Sequence, residues 1–241
     1  MKRATFLERI RAEVARSGGT SDATTAPRPA HPEAAAGAVR RQMAERWPEA
    51  LETFRREFER VAGVFHRAAD RDEVPAKILE IARGKGATAL VAWDEAALGL
   101  DLRSLSASGL SVSVAAPDLD DAAVRGRHRE ESARAQIGVT GADLVLAETG
   151  TLILISGRGR PRATSLLPDT HIAVFDRSRL VESLAQVGVV LEALHVDPAR
   201  SMSGAMINFI TGPSRTADIE LTLTRGVHGP KDVHAIFVAA P

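Results

Sequence analysis

Apolar positions along the chain follow two rhythms: a helical recurrence and short, nearly uninterrupted runs. Leu7, Ile10 and Val14 recur at helical spacing behind a capping box of Thr5 and Glu8, which predicts a short first helix. Residues 18–37, rich in Ala, Thr, Pro and Gly, carry almost no large apolar side chain and predict a flexible linker. Leu51, Phe54, Phe58, Val61 and Phe65 then form the stripe of a long helix over residues 39–69. An interruption or restart is expected at Trp47-Pro48, because proline disfavours a helical residue before it. Asp70 and Glu73 open another helix through Val74, Ile78 and Ile81, with Gly84 at its end.

Short apolar runs at residues 87–93, 110–115, 144–147, 152–155, 172–175, 206–211 and 233–238 predict strands. Helices fall between them: one capped by Asp94, a polar one over residues 120–136, and one opened by Asp176 that carries Leu180, Val181, Leu184 and Val187. This alternation predicts an α/β fold with an open, mostly parallel sheet and flanking helices. Residues 1–37 are read as an N-terminal helix and flexible linker, residues 38–241 as the α/β domain. The runs at 144–147 and 152–155 flank Glu148-Thr149-Gly150-Thr151, the pattern of a tight hairpin in which Gly150 supplies a positive φ.

Composition narrows the chemistry. Basic and acidic residues balance at 31 each, so no global field draws nucleic acid or an anionic membrane. The absence of cysteine excludes a disulfide, a thiolate zinc site, a cysteine nucleophile and a cysteine-ligated iron–sulfur cluster within this chain. No nucleotide-binding fingerprint and no metal-ligand spacing is present, so neither a cofactor nor a metal is expected. No apolar run approaches the roughly 18 residues a bilayer span needs, and the charged, amphipathic first residues are unlike a signal peptide. A cytoplasmic protein is expected.

Four segments join small residues to functional groups at the ends of apolar runs, where open α/β sheets bind ligands. In residues 212–220, Pro213 suits the first turn of a helix whose free N–H groups favour an anion. Ser214 and Thr216 add hydroxyls there, and Arg215 a bidentate fork. The same residues also fit an ordinary helix cap with a structural ion pair. In residues 226–231, His228 stands between two glycines and before Pro230 and Lys231, poised for proton transfer near neutrality or for a structural hydrogen bond in a turn. Glu148 fits a carboxylate base or nucleophile, and equally an exposed turn acid. Arg158, Arg160 and Arg162 make a basic loop that reads first as solvated.

Taken in order, AETGT (147–151), FITGPSRTADIE (209–220) and GVHGPK (226–231) resemble the LUD-domain family, and the first helix and linker resemble its lactate-utilization branch. The resemblance implies the fold of the sugar-phosphate isomerase and CoA-transferase superfamily. It implies a part in oxidising L-lactate to pyruvate beside iron–sulfur partner subunits, with a small anionic metabolite as ligand. The matching positions carried over as candidate site residues are Glu148, Thr149, Gly150, Thr151, Gly212, Ser214, Arg215, Thr216, Asp218, Glu220, His228 and Gly229. Of these, Glu148 and His228 are the candidates for chemistry and the others for ligand binding. The alternative is a stand-alone transferase or isomerase in which Glu148 attacks an acyl group or takes a proton, with nearby backbone amides stabilising the developing charge.

Overall fold

The structure, a computed structural model, describes residues 5, 7–9, 12, 29–117, 121–196, 206–217 and 223–240. Residues 5, 7–9 and 12 are helical; residues 18–28 of the expected linker lie outside the described residues. Helix α1 spans Pro32–Arg60, beginning inside that linker. Proline at the first turn and the alanine run that follows favour this start, and Ala36 is buried, so residues 32–37 are not linker.

Pro48 lies inside α1, which continues through it in place of the expected interruption. An interior proline costs about 3 kcal/mol. Fully buried Phe54 and Phe58, on the turns that follow, each return roughly 1.5–3 kcal/mol by burial, so packing wins. The helix also ends sooner than the spacing of its stripe predicts. Ala62 takes a φ of 68°, and Val64–Ala68 form strand β1 in place of the last helical turns. Phe65 still reaches the same cluster, edge-on to Phe54 at 6.3 Å.

The remaining elements are helix α2 (Val74–Lys85), β2 (Ala89–Ala92), the short helices α3 (Glu95–Leu98) and α4 (Arg103–Ala107), β3 (Ser111–Val114), α5 (Ala122–Arg134), β4 (Ile137–Gly141), β5 (Leu144–Leu146), β6 (Thr151–Ile155), α6 (Ala163–Leu166), β7 (Thr170–Asp176), β8 (Leu180–Val181), α7 (Leu184–Val196), β9 (Ile207–Ile210), β10 (Arg215–Ala217), β11 (Leu223–Arg225) and β12 (Asp232–Val238). Helix α2 runs past Gly84 to a left-handed cap at Gly86, and Asp94 caps α3 by accepting the N–H groups of Ala96 and Ala97.

Six strands form one wholly parallel sheet in the order β1-β12-β7-β4-β2-β3. This is the open, helix-flanked α/β architecture expected. Its inner strands β12 and β7 are apolar along most of their length because both faces are covered. A second sheet, β8-β5-β6-β9, packs beside α1. Its alternation divides two cores: Val145, Leu152 and Leu154 join the main core, while Leu144, Leu146 and Ile153 pack with Val187 and Val190 of α7. Leu180 and Val181 belong to this sheet, paired with Val145 and Leu146, and not to a helix opened by Asp176. Asp176 instead caps a single 3-10 turn, Arg177–Arg179.

The hairpin at residues 144–155 is present, with Gly150 at φ 62° closing a 3-10 turn, Ala147–Thr149. The expected helix after Pro213 does not form. Residues 215–217 make up β10, paired antiparallel with β11. The helix-N-terminal anion site read from Gly212-Pro213 is therefore absent, since an extended chain aims its N–H groups alternately to either side.

Candidate functional site

The sequence motifs meet at the end of α1. Gly150 sits so close to the last turn of α1 that an added Cβ would lie 2.3 Å from the Phe58 nitrogen. Gly212, at φ 78°, meets the neighbouring turn, where a Cβ would lie 2.6 Å from the Val61 carbonyl oxygen. Both glycines thus let loop backbone approach the helix end directly. The Arg215 guanidinium donates to that same Val61 oxygen. A cation at a helix C-terminus satisfies a free carbonyl and complements the helix dipole.

Hydroxyls stitch the first two segments together. Thr149 Oγ1 and Thr151 Oγ1 are 2.7 Å apart, and Thr151 Oγ1 lies 2.7 Å from Thr211 Oγ1. The third segment joins through Ser214: its N–H donates to the Pro230 carbonyl at 2.9 Å, its carbonyl accepts from Gly226, and its Oγ accepts the His228 N–H at 3.3 Å. A Cβ added at Gly229 would lie 3.5 Å from Ser214 Cβ. His228 and Arg215 are exposed, and Thr216 is half-buried. Asp218 and Glu220 lie outside the described residues.

Glu148 shares the hairpin turn, but its contacts run elsewhere. Its Oε1 accepts the N–H of Leu184, the first residue of α7, at 2.7 Å, and its own N–H donates to the Glu182 carbonyl. It serves as the side-chain cap of α7. Among the described residues, no hydrogen bond or ion pair joins Glu148 to Arg215 or His228.

The cluster lies at the amino edge of the parallel sheet, since residues 226–231 lead into β12 and Val61 precedes β1. At the opposite, carboxyl edge is a cavity of about 1070 Å³ that the motifs do not announce. It follows the ends of β2, β4 and β7, through Trp93, Gly141 and Asp176, and is closed by the first half of α1 from Val39 to Trp47. Trp47 and Val61 are separated by roughly 21 Å of helix, so the two places are distinct. Arg40, Arg71, Arg158, Arg160, Arg177 and Arg179 line the cavity. Arg158 and Arg160 come from the loop expected to be solvated. Arg160 in fact donates to Asp143 at 2.8 Å and lies over the Trp93 ring at 5.9 Å. The one sequence signal for this is the loop's position directly after the β6 run.

A third group of polar side chains is internal. His66 Nε2 and His234 Nδ1 share a hydrogen bond at 2.9 Å with their rings stacked, and His171 Nε2 lies 2.8 Å from Thr140 Oγ1. Burial, with the neighbouring imidazole second, holds His171 down to about 3 and His234 down to about 4. These two rings are neutral at pH 7. Among the described residues, no group of three or more His, Asp or Glu side chains is placed to hold a metal ion.

Similarity to known proteins agrees with this architecture. The LUD domain family matches residues 51–238, and the chain belongs to that family. Relatives named "Lactate utilization protein C" include one from Anoxybacillus flavithermus, 44% identical over 109 residues, covering 45% of this chain and 46% of the relative. One from Halalkalibacterium halodurans is 47% identical over 102 residues, covering 42% and 43%. One from Macrococcus caseolyticus is 33% identical over 162 residues, covering 66% and 65%. The chain thus spans about half the length of the first two. A crystal structure of a DUF162 family protein from Deinococcus radiodurans is similar in fold, with a TM-score of 0.53 at 24% identity over 80% of this chain and 98% of that one. No helix among the described residues is long and apolar enough to cross a membrane.

Proposed function

We propose that this chain is a component of an L-lactate utilization system, working beside iron–sulfur partner proteins that carry the electrons as L-lactate becomes pyruvate. It binds a small anionic metabolite at the cluster of Thr149–Thr151, Gly212, Ser214, Arg215, Thr216, His228 and Gly229, to which Asp218 and Glu220 belong by sequence. The observation that carries the reading is the convergence of three segments, distant in sequence, through the Thr149–Thr151–Thr211 hydroxyls and the Ser214–His228 contact. The names of the relatives supply the metabolic context.

Electrostatics support an anion. The Arg215 fork has five N–H donors and spends one on Val61, and the exposed His228 ring adds a further hydrogen-bonding side chain. Acyl or proton transfer at Glu148 would require its carboxylate to leave the α7 cap. Glu148 therefore has a supporting place, as the group that fixes the hairpin turn against α7.

Titration calorimetry with L-lactate and with pyruvate tests the site. A charge-assisted contact from Arg215 is worth roughly 1.5–3 kcal/mol, about ten- to a hundred-fold in affinity. Arg215→Ala and His228→Ala should each weaken binding of at least one of the two acids. Unchanged affinity in both variants would remove the cluster as the ligand site.

A further inference from the structure

Helix α7 is apolar on both of its sides. Its 13 residues hold one acid, Glu192, and no lysine or arginine, in a chain of which 26% is charged. Val187, Val190 and Ala193 face inward and are buried against the second sheet and α1. The opposite side presents Leu184, Ala185, Gly188 and Val196, and of these Leu184 and Val196 are 58% and 47% exposed. A helix with apolar residues all round is one that is covered all round. Gly188 points the same way. Glycine inside a helix weakens it relative to alanine, and a Cβ there would meet nothing within 4 Å, so no contact among the described residues calls for it. Close approach of a second helix on that side does.

The chain itself supplies a helix of the matching kind. Residues 5, 7–9 and 12 are helical, Leu7 is exposed, and Leu7, Ile10 and Val14 form one apolar stripe by their spacing. The place where the chain enters the core favours this helix over other occupants. Helix α1 runs antiparallel to α7: Gln42 and Arg46 meet Glu182 just ahead of α7, whereas residues 30–34 border one recess with Val196 at its end. The chain leading into α1 therefore arrives at the C-terminal end of α7. Residues 15–29 can span up to about 50 Å when extended, against about 20 Å for the whole of α7. Such a tether gives an effective concentration on the order of millimolar, well above that of a second copy in a micromolar solution. Residues 197–205, which follow α7, carry Met202 as their one large apolar side chain and offer no comparable stripe.

From these observations we propose that the outward side of α7 is a docking surface for the chain's own first helix, which lays Leu7, Ile10 and Val14 across Gly188 between Leu184 and Val196. Helix α7 is then enclosed between the second sheet and the first helix, as its composition requires. Removal of apolar surface from water on both helices drives the contact. The docking does not depend on the metabolite proposed for the motif cluster, and neither reading fails with the other.

The test uses the full chain, whose lack of cysteine leaves only introduced thiols to react. Ile10→Cys is paired with Ala185→Cys on the outward side of α7 and treated with a flexible bismaleimide that spans a helix–helix spacing of about 10 Å. Intact mass should show an intramolecular crosslink in most molecules. Ile10→Cys paired with Ser111→Cys, exposed on β3 at the far edge of the main sheet, should give about ten-fold less. Adding Leu7→Gln and Val14→Gln to the Ala185 pair removes the stripe while keeping good helix formers, and should lower its yield about ten-fold. Gly188→Gln, which fits the open space beside α7, should lower it too. Circular dichroism and melting temperature confirm that each variant is folded. A yield at Ala185 no higher than at Ser111, or one indifferent to the glutamines, would overturn the docking. So would a product of dimer mass, which would give the face to a second copy.

Discussion

Replacing Gly150 by alanine isolates how the motif cluster is built. The added Cβ would lie 2.3 Å from the Phe58 nitrogen and 2.6 Å from the Glu57 carbonyl carbon, both backbone atoms of α1 that no rotamer change can move. The residue also holds φ 62°, a left-handed conformation that costs a non-glycine residue roughly 1–2 kcal/mol. Overpacking a site of this kind adds about 1–3 kcal/mol. The expected destabilisation is therefore about 2–5 kcal/mol, a large share of the roughly 5–15 kcal/mol that holds a typical domain folded. Gly86 provides the control. It has the same φ of 62°, but a Cβ added there would meet nothing within 4 Å, so Gly86→Ala carries the conformational cost alone. Urea unfolding of both variants reads the difference, with the slope m unchanged if both stay two-state. Gly150→Ala should be the weaker by about 1–3 kcal/mol. Equal losses in the two variants would show that the loop does not press on the helix end and would refute this packing.

Stability should also fall in acid. His171 and His234 titrate at about 3 and about 4 when folded, below the ordinary histidine value of about 6.5. Unfolding lets them take up protons, so stability is intact above about pH 6.5 and is lost as pH drops towards 4, with a slope approaching about 1.4 kcal/mol per pH unit for each ring. Urea midpoints at pH 7 and pH 5 check this, and His171→Gln with His234→Gln should flatten the profile. Phe54→Ala should cost about 3–5 kcal/mol, because its fully buried ring meets Phe58 at 5.1 Å and Phe175 at 5.4 Å; a thermal melt shifted by less than about a degree would contradict that packing. Asp94→Ala should cost about 1 kcal/mol by removing the acceptor that caps α3, read by the same melt.

Much of the fold is readable from the residues. Strands β2, β7 and β12 carry the continuous apolar runs of a covered parallel sheet, whereas β4, with the glycine-broken sequence IGVTG, shows no such run and is not among the expected strands; Asp94 and Gly150 signal a cap and a tight turn by chemistry alone. The differences have local causes. The stripe of α1 carries on through Phe65 because a strand residue packing into the same core looks, by spacing, like one more helical turn; only Gly63 marks the break. Leu180 and Val181 read as helix because a two-residue strand has no periodicity of its own. At the candidate site, the glycines and hydroxyls of AETGT, ITGPSR and GVHG point to their grouping in space. The place of Pro213 is not readable, since a proline that suits a helical first turn equally suits the bend before β10. The carboxyl-edge cavity is hidden for a different reason: its arginines come from α1, from the loop after β1, from the loop after β6 and from the turn after β7, and no short window of sequence brings them together.

If this chain takes part in L-lactate oxidation without carrying the electrons itself, a reconstitution shows it. The reaction to follow is L-lactate-dependent reduction of an artificial electron acceptor by the iron–sulfur proteins of the same organism, with this chain omitted, added in equimolar amount, or added as Arg215→Ala. The expected result is little turnover by the partners alone, no turnover by this chain alone, full activity with the wild-type chain, and reduced activity with the variant. Undiminished oxidation when the chain is omitted would contradict the proposed role.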